Sequence, residues 1–475
     1  MPNVKQKVAW LWQNLEKLLI ILFFLTFSFN VRKVFLTPYS FLNGGFNEYA
    51  TFSLGWTDVL IIASIIIYTI KYVISQLSAP PGNKNILYNN YQKSSIFKSP
   101  SISRETTLWL FFFFWCGLSI SWSSYKPFAI FRFASLLEVA IFAVILIRVL
   151  KETPWFQAAI LALVVNGVFQ SFLGIAQFIQ NGSLGLSFFG ESIIGPNIAG
   201  AAKIIIAGQK HIRSYGTFPH PNILAAFLLI PLFIVMRDLL FYRINVSRET
   251  STKTFSFRIL VLIFPILITG FALTASRSAF FGFALGSFLL FLAYRKALFK
   301  LWNNSTGFTL TQKRAVLASL IIFLAIGISY AAKYTSFFSF QALNERNTYQ
   351  IVSYETISAH FYKGVGLGQF VINEYLLHPN LNGWQYQPVH NIFLLIFSEL
   401  GIVGFVIGLY LIITFILKKV IGITREVRLT NYIYCVIIIS FLPPLLFDHF
   451  FWDLKIGMIL FSVPVSLFLA NSKYH

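Results

Sequence analysis

The sequence predicts an all-α polytopic membrane protein of about 12 transmembrane helices, with a large outer loop between spans 9 and 10. Three observations predict it. Hydrophobic residues make up 57% of the chain and charged residues 11%, where soluble domains carry about 25% charged. Apolar runs recur from end to end, near 18–31, 57–74, 106–122, 128–148, 155–178, 223–240, 259–275, 278–294, 315–332, 391–417, 430–447 and 455–470. Lysine and arginine are unevenly shared between the connections. Roughly two thirds of them fall in the N-terminus, 75–105, 149–154, 237–258, 295–314, 418–429 and the C-terminal tail, the segments that an even number of spans puts on one side. That side is then cytoplasmic, with both termini on it. The formal charge of +21 reports orientation, and its spread over these loops argues against nucleic acid as a partner.

Each element has its reason. The first run, Leu18 to Val31, follows basic residues as a signal peptide does, but no small-residue cleavage pattern follows it, so it is read as a helix. Segment 75–105 is rich in Pro, Ser and Asn and reads as a flexible cytoplasmic loop. The outer segments 181–221 and 333–389 are the long ones, and long loops in compact proteins tend to carry function. In the second, Ile351, Tyr354, Ile357 and Phe361 stand near helical spacing and predict a short amphipathic helix on the outer membrane surface. The stretch "GVGLGQF" lacks a nucleotide fold around it and reads as a turn only. The whole chain, 1–475, reads as one transmembrane domain. Its two cysteines, Cys116 and Cys435, fall in apolar runs and exclude a disulfide framework.

Candidate chemistry gathers at the outer starts of three descending helices. "RSYGTFPHPN" brings Arg213 and His220 to the sixth, with Asn222 as N-cap. "TASRSAF" opens the eighth with Ser276 or Ser278 as cap beside Arg277, and "QPVHNIF" opens the tenth with His390 and then Asn391 as cap. A helix N-terminus offers free N–H donors and about half a positive charge, so three such ends with arginines would hold a phosphate or pyrophosphate if they converge. Each arginine also has a plainer reading as a headgroup anchor, and so does Arg132 in the fourth span. His220, between two prolines, reads as a turn residue as well as a ligand-binding one. His390 is the general-base candidate, since imidazole takes up a proton near neutral pH. Glu399 lies on the opposite helix face and is expected to pack against another helix. Outer carboxylates such as Glu191, Glu345, Glu355 and Glu374 are scattered, so no metal site and no cofactor are expected. Asp448, His449 and Asp453 in "FDHFFWD" form the nearest acidic pair and read as a cap between two helices.

With these residues in view, the chain resembles the O-antigen ligase and polymerase superfamily from the third span onward. The motifs are "IRSYGTFPHPNILAAFL", "TASRSAFFGFALG", "NERNTYQIVSYETISAHFYKGVGLGQF" and "PVHNIFLLIFSELGIVGF". The resemblance implies a multi-span bacterial inner-membrane enzyme whose large loop is periplasmic. It would move a glycan from a polyprenyl (undecaprenyl)-pyrophosphate carrier to an acceptor, with inversion and without a metal. It implies that Arg213 and Arg277 bind the pyrophosphate and that His390 activates the acceptor hydroxyl; Arg346 matches a further loop arginine. The acceptor, whether glycan, lipid or protein, is left open. A protein O-oligosaccharyltransferase of the same superfamily stays open too. So does a flippase for lipid-linked glycans, although that would place its arginines along a path through the membrane midplane. A non-catalytic envelope scaffold would have no use for His390.

Overall fold

The computed structural model describes residues 4–77, 104–241, 256–303, 340–415 and 429–471. The helices in chain order are α1 (Val4–Thr26), α2 (Trp56–Leu77), α3 (Arg104–Leu118), α4 (Lys126–Val149), α5 (Thr153–Gln180), α6 (Pro221–Phe241), α7 (Phe257–Leu273) and α8 (Arg277–Asn303). They continue with α9 (Phe340–Ala359), α10 (Phe370–Leu377), α11 (Ile392–Phe415), α12 (Leu429–Ser440), α13 (Leu442–Phe447), α14 (Phe450–Asp453) and α15 (Lys455–Asn471). Eleven of the expected apolar runs fall on these helices, with 430–447 shared by α12 and α13; run 315–332 lies outside the described residues, as does most of the 75–105 loop. Six described helices are long and apolar enough to cross a membrane: α1, α2, α4, α5, α6 and α11. The first helix begins at Val4, well before the expected Leu18, and stops at Thr26.

The all-α expectation needs one correction. The fold is mostly helical, but three two-stranded antiparallel ladders decorate it. In the loop after α1, β1 (Arg32–Phe35) pairs with β4 (Phe52–Gly55), and β2 (Phe41–Leu42) pairs with β3 (Gly45–Phe46). In the 181–221 segment, β5 (Lys203–Ile206) pairs with β6 (Gln209–Ile212). The turns explain them. Asn43-Gly44 and Ala207-Gly208 both have positive φ at the two central positions, the twist that joins hairpin strands tightly.

The core is centred on α6. Its residues from Ile223 to Ile230 and from Leu232 to Val235 are almost completely buried. A helix apolar all round belongs inside a bundle, and α6 packs against α5, α7, α8 and α12. Three polar residues of α5, Asn166, Gln170 and Gln177, are buried on one face. They clamp the strap that leads into α6. Gln177 Oε1 accepts from Gly216 N at 2.8 Å, and its Nε2 donates to Gly216 O at 2.8 Å. Gln170 Oε1 accepts from Thr217 N at 2.8 Å, and Thr217 Oγ1 donates to Ser28 O at 2.7 Å. Asn166 accepts from Ser28 Oγ at 2.7 Å. These bonds satisfy backbone groups that lie in an otherwise apolar interior.

The glycine-rich turn is more than a turn. Gly364, Gly366 and Gly368 all have positive φ, and they fill a break in α11 where Gly401 leaves the helical conformation. Val365 N and Gly366 N donate to the carbonyls of Ser398 and Glu399, and Ile402 N donates to Phe361 O. The turn thus replaces the hydrogen bonds that the helix loses. Helix α9 lies against α11. Tyr349, Val352, Ser353 and Thr356 are buried, while Ile351, Tyr354 and Phe361 are exposed.

Candidate functional site

The starts of α6, α8 and α11 meet. Residues 213 and 214 cross the end of α7: Ser214 N donates to Leu273 O at 3.0 Å, and Arg213 Nε to Thr274 O at 2.6 Å. A second arm of Arg213 donates to Asn222 Oδ1 at the start of α6. The amide of Asn222 then donates to Asp448 Oδ2 at 3.0 Å, and Ser278 Oγ, in the first turn of α8, lies 3.4 Å from the same oxygen. Half-buried Arg277 opens α8. His390 and His449 meet ring edge to face at 4.8 Å, and Tyr349 of α9 stacks on His390 at 5.7 Å. Arg346, three residues before Tyr349, acts electrostatically on His220, His390 and Asp448.

The cap differs from expectation at one of the three helices. Asn391 caps α11 as expected, accepting from Phe393 N at 2.9 Å and Leu394 N at 3.1 Å. At α6 the cap is His220. Its carbonyl accepts from Ile223 and Leu224, and its Nδ1 accepts from Asn222 N at 3.2 Å. Asn222 is thereby freed to link Arg213 with Asp448. At α8, Ser276, one of the two expected caps, stands at the cap position and its carbonyl accepts from Phe280 N; its hydroxyl is buried with no hydrogen-bond partner among the described residues. Just before it, Ala275 has φ +52, a left-handed conformation that is uncommon for a residue with a Cβ.

These contacts fix the tautomers. Because His220 Nδ1 accepts, the neutral ring carries its proton on Nε2 and presents a donor. His390 Nδ1 lies 3.2 Å from Pro388 O, which can only accept, so Nδ1 carries the proton and Nε2 keeps its lone pair. Burial, then Arg213, His449 and Arg346, pull His220 down to about 3. Burial, then His449, Arg346 and His220, hold His390 well below 6.5. His449 goes the other way. Burial alone would lower it, but Asp453, 2.8 Å from Nδ1, with Asp448 and Glu48 raises it overall. Burial raises Asp448, against the pull of His449, Arg346 and Arg213. One end of the bundle therefore joins a neutral acceptor, a neutral donor and a histidine that carboxylates hold toward its charged form to a set of arginines.

Arg213, Arg346, His220 and His390 belong to this cluster, and Arg277 opens α8 beside its Ser278. Arg132 is set apart: it is buried in α4 and donates to Trp452 O, while Trp452 Nε1 donates to Glu399 Oε2 at 2.8 Å. Glu399 thus packs against α14, as its helix position implies. Asp448, His449 and Asp453 do more than cap a turn. The sequence holds the signal, two acids and a histidine within six residues, but only the meeting with Asn222, Ser278 and His390 makes them part of a site. Among the described residues no group of three or more His, Cys, Asp and Glu has the arrangement to hold a metal ion.

A mostly helical membrane protein with arginines, histidines and three helix N-termini gathered at one end of its bundle is the class that this architecture defines. Residues 260–409, from α7 into α11, match the family described as O-Antigen ligase. The match supports the O-antigen ligase superfamily and covers Arg277, Arg346 and His390. Arg213, His220, Arg132 and the 448–453 cluster lie outside it. No curated protein matches the chain.

Proposed function

We propose that the protein transfers a glycan from a polyprenyl (undecaprenyl)-pyrophosphate carrier to an acceptor hydroxyl, as an O-antigen ligase or polymerase. The observation that carries this reading is the meeting of Arg213 and Arg346 with a neutral His390 at the starts of three helices, one of which Arg277 opens. Pyrophosphate is an anion with oxygens on two phosphorus atoms; bidentate guanidinium groups and free backbone N–H donors match it without a metal.

The step balances with these groups alone. The acceptor hydroxyl gives its proton to His390 Nε2 as its oxygen bonds to the anomeric carbon. The bond from that carbon to the phosphate oxygen breaks on the opposite face, which inverts the centre. The polyprenyl pyrophosphate leaves with the bonding pair, held by the arginines and by the His220 Nε2 donor. In this reading the chain is one transmembrane domain that crosses a bacterial inner membrane about 12 times, with termini cytoplasmic and site outside. The segments 181–221 and 333–389 are its outer loops.

The test is transfer in nanodiscs from a synthetic polyprenyl-pyrophosphate glycan to a panel of acceptors. Glycosidic product with inverted configuration is expected. Absence of product, together with movement of the lipid-linked glycan between leaflets of reconstituted vesicles, would replace the enzyme with a flippase.

A further inference from the structure

The outer segment 181–221 does not run straight out from the bundle. Helix α5 spans 28 residues, about 42 Å at 1.5 Å per residue, against a hydrocarbon layer of about 30 Å. Phe169 stands 11 residues before its last residue, roughly 16 Å below the helix end and so at hydrocarbon depth. Beyond the helix the chain returns to that depth. Phe189, in the turn Ser187–Phe189, brings its ring to 6.1 Å from Phe169 and 5.1 Å from Phe29, which itself lies 5.9 Å from Phe169. Leu161, Val165, Phe172 and Ile179 form an exposed stripe on α5. Phe169, four residues after Val165 and three before Phe172, shares that face. The turn is therefore folded back over the side of α5 that faces lipid.

What the turn presents outward is apolar. Phe188 is 84% exposed and Ile193 81%. Between Asn181 and Ala202 the single charged residue is Glu191, and it is buried. Its carboxylate accepts from Leu184 N and Leu186 N at 2.7 Å each and from Gln177 Nε2 at 2.9 Å. Ser183 N donates to Ile194 O at 3.0 Å, and Phe189 N and Gly190 N close the turn on Leu186 O and Ser187 O. Backbone near lipid must find its partners within the protein, and these bonds supply them. A loop in water has no reason to put its large apolar side chains outside and its one charge inside. Lysines resume only at the β5–β6 hairpin, with Lys203 and exposed Lys210.

We propose that residues 183–194 form a re-entrant turn that inserts into the lipid leaflet at the site's end of the bundle, with Phe188 and Ile193 among the acyl chains and the β5–β6 hairpin at the headgroups. The proposal does not rest on the transferase reading. It bears on the site because Gln177 Nε2, which holds Glu191, also donates to Gly216 O in the strap that carries Arg213.

The experiment measures immersion with nitroxide labels on single cysteines in a Cys116→Ala, Cys435→Ala background, reconstituted in phospholipid nanodiscs. Molecular oxygen concentrates in lipid, and a charged nickel chelate stays in water. Labels on Phe188→Cys and Ile193→Cys should relax faster with oxygen than with nickel, as on Phe172→Cys of the α5 stripe. Lys210→Cys should show the reverse. Nickel access at 188 and 193 equal to that at 210 overturns the proposal. As a second measurement, benzoylphenylalanine in place of Phe188 should form photo-adducts with phospholipid, read by mass. Labels shielded from both reagents, together with adducts to a second copy of the chain, would put a protein interface there and overturn the proposal as well.

Discussion

The arginine cluster and the cavity between the loop after α1, α4 and the 453–456 turn are built from the same residue types and differ in how these are paired. At the cluster, Arg213 donates to a backbone carbonyl and to the Asn222 amide oxygen. Arg213 and Arg346 both act on one carboxyl, Asp448, and Arg277 stands beside the Ser278 that reaches it. At the cavity, Arg32 and Lys455 are each held by a carboxylate, while Arg132 donates to the Trp452 carbonyl. A cation paired with a carboxylate is largely spent on the fold.

The comparison breaks first at His390. His390→Ala should lower single-turnover transfer by about 10²–10⁴-fold while donor affinity stays nearly intact. Wild-type turnover in that variant would remove the base from the cluster. The acid limb sharpens the point. His390 faces His220, His449, Arg346 and Tyr349, and its lowered pKa leaves it neutral at neutral pH. Turnover should therefore be flat around pH 6.5 and fall only as the pH drops through that lower value, and His390→Ala should lack this limb. His449, raised by Asp453, stays protonated to higher pH and should set an alkaline limb that Asp453→Asn moves downward.

The arginines come next. Arg277→Ala and Arg213→Ala should each weaken donor binding about tenfold or more, the worth of a charged hydrogen bond, with lysine restoring only part because it lacks the fork. Arg346→Ala should fall between these and wild type. Arg32→Ala, at the cavity, should leave donor affinity unchanged; a drop equal to that of Arg213→Ala would erase the distinction between the two regions.

A smaller effect is expected from the strap. Gly216 has φ +57, and a Cβ there would stand 2.3 Å from Gln170 Oε1. Gly216→Ala should cost about 1–3 kcal/mol of stability and weaken donor binding through Arg213, measured by thermal melting and donor titration. Gly185→Ala, also at positive φ but with nothing near its Cβ position, should cost less and spare donor binding. The smallest effect is none: transfer should survive chelation by EDTA, and loss with rescue by Mg²⁺ would identify a charge-neutralising group other than the arginines.

Much of the site was legible in the chain. Arg277 and His390 each stand at the first turn of an apolar run, and Arg213 in the strap that leads into one, where local rules of capping and helix polarity point to an anion. Asn391 caps its helix for the same local reason. The first outer hairpins carried a signal in Asn43-Gly44, and the polar stripe on α5 is visible as Asn166, Gln170 and Gln177 on one helical face. Both are short-range patterns of turn chemistry and helical period. In helix α9 the apolar spacing marks the exposed side, and the side buried in the protein is built from Tyr349, Ser353 and Thr356, which serve packing and hydrogen bonds.

The sequence by itself determined the apolar runs, their asymmetric charge and the residues that open each helix, because burial in lipid, capping and helical period act within a few turns of chain. Tertiary structure alone decided that three helix starts meet, that His220 replaces Asn222 as cap, and that Asp448, His449 and Asp453 join them. It also decided that the loop after α1, α4 and the 453–456 turn enclose a cavity. Those outcomes depend on contacts such as Asn222 with Asp448 and His390 with His449, between residues far apart in the chain. The depressed pKa of His390 follows from the same cause: burial and neighbouring cations are properties of the assembled site, and no local pattern encodes them.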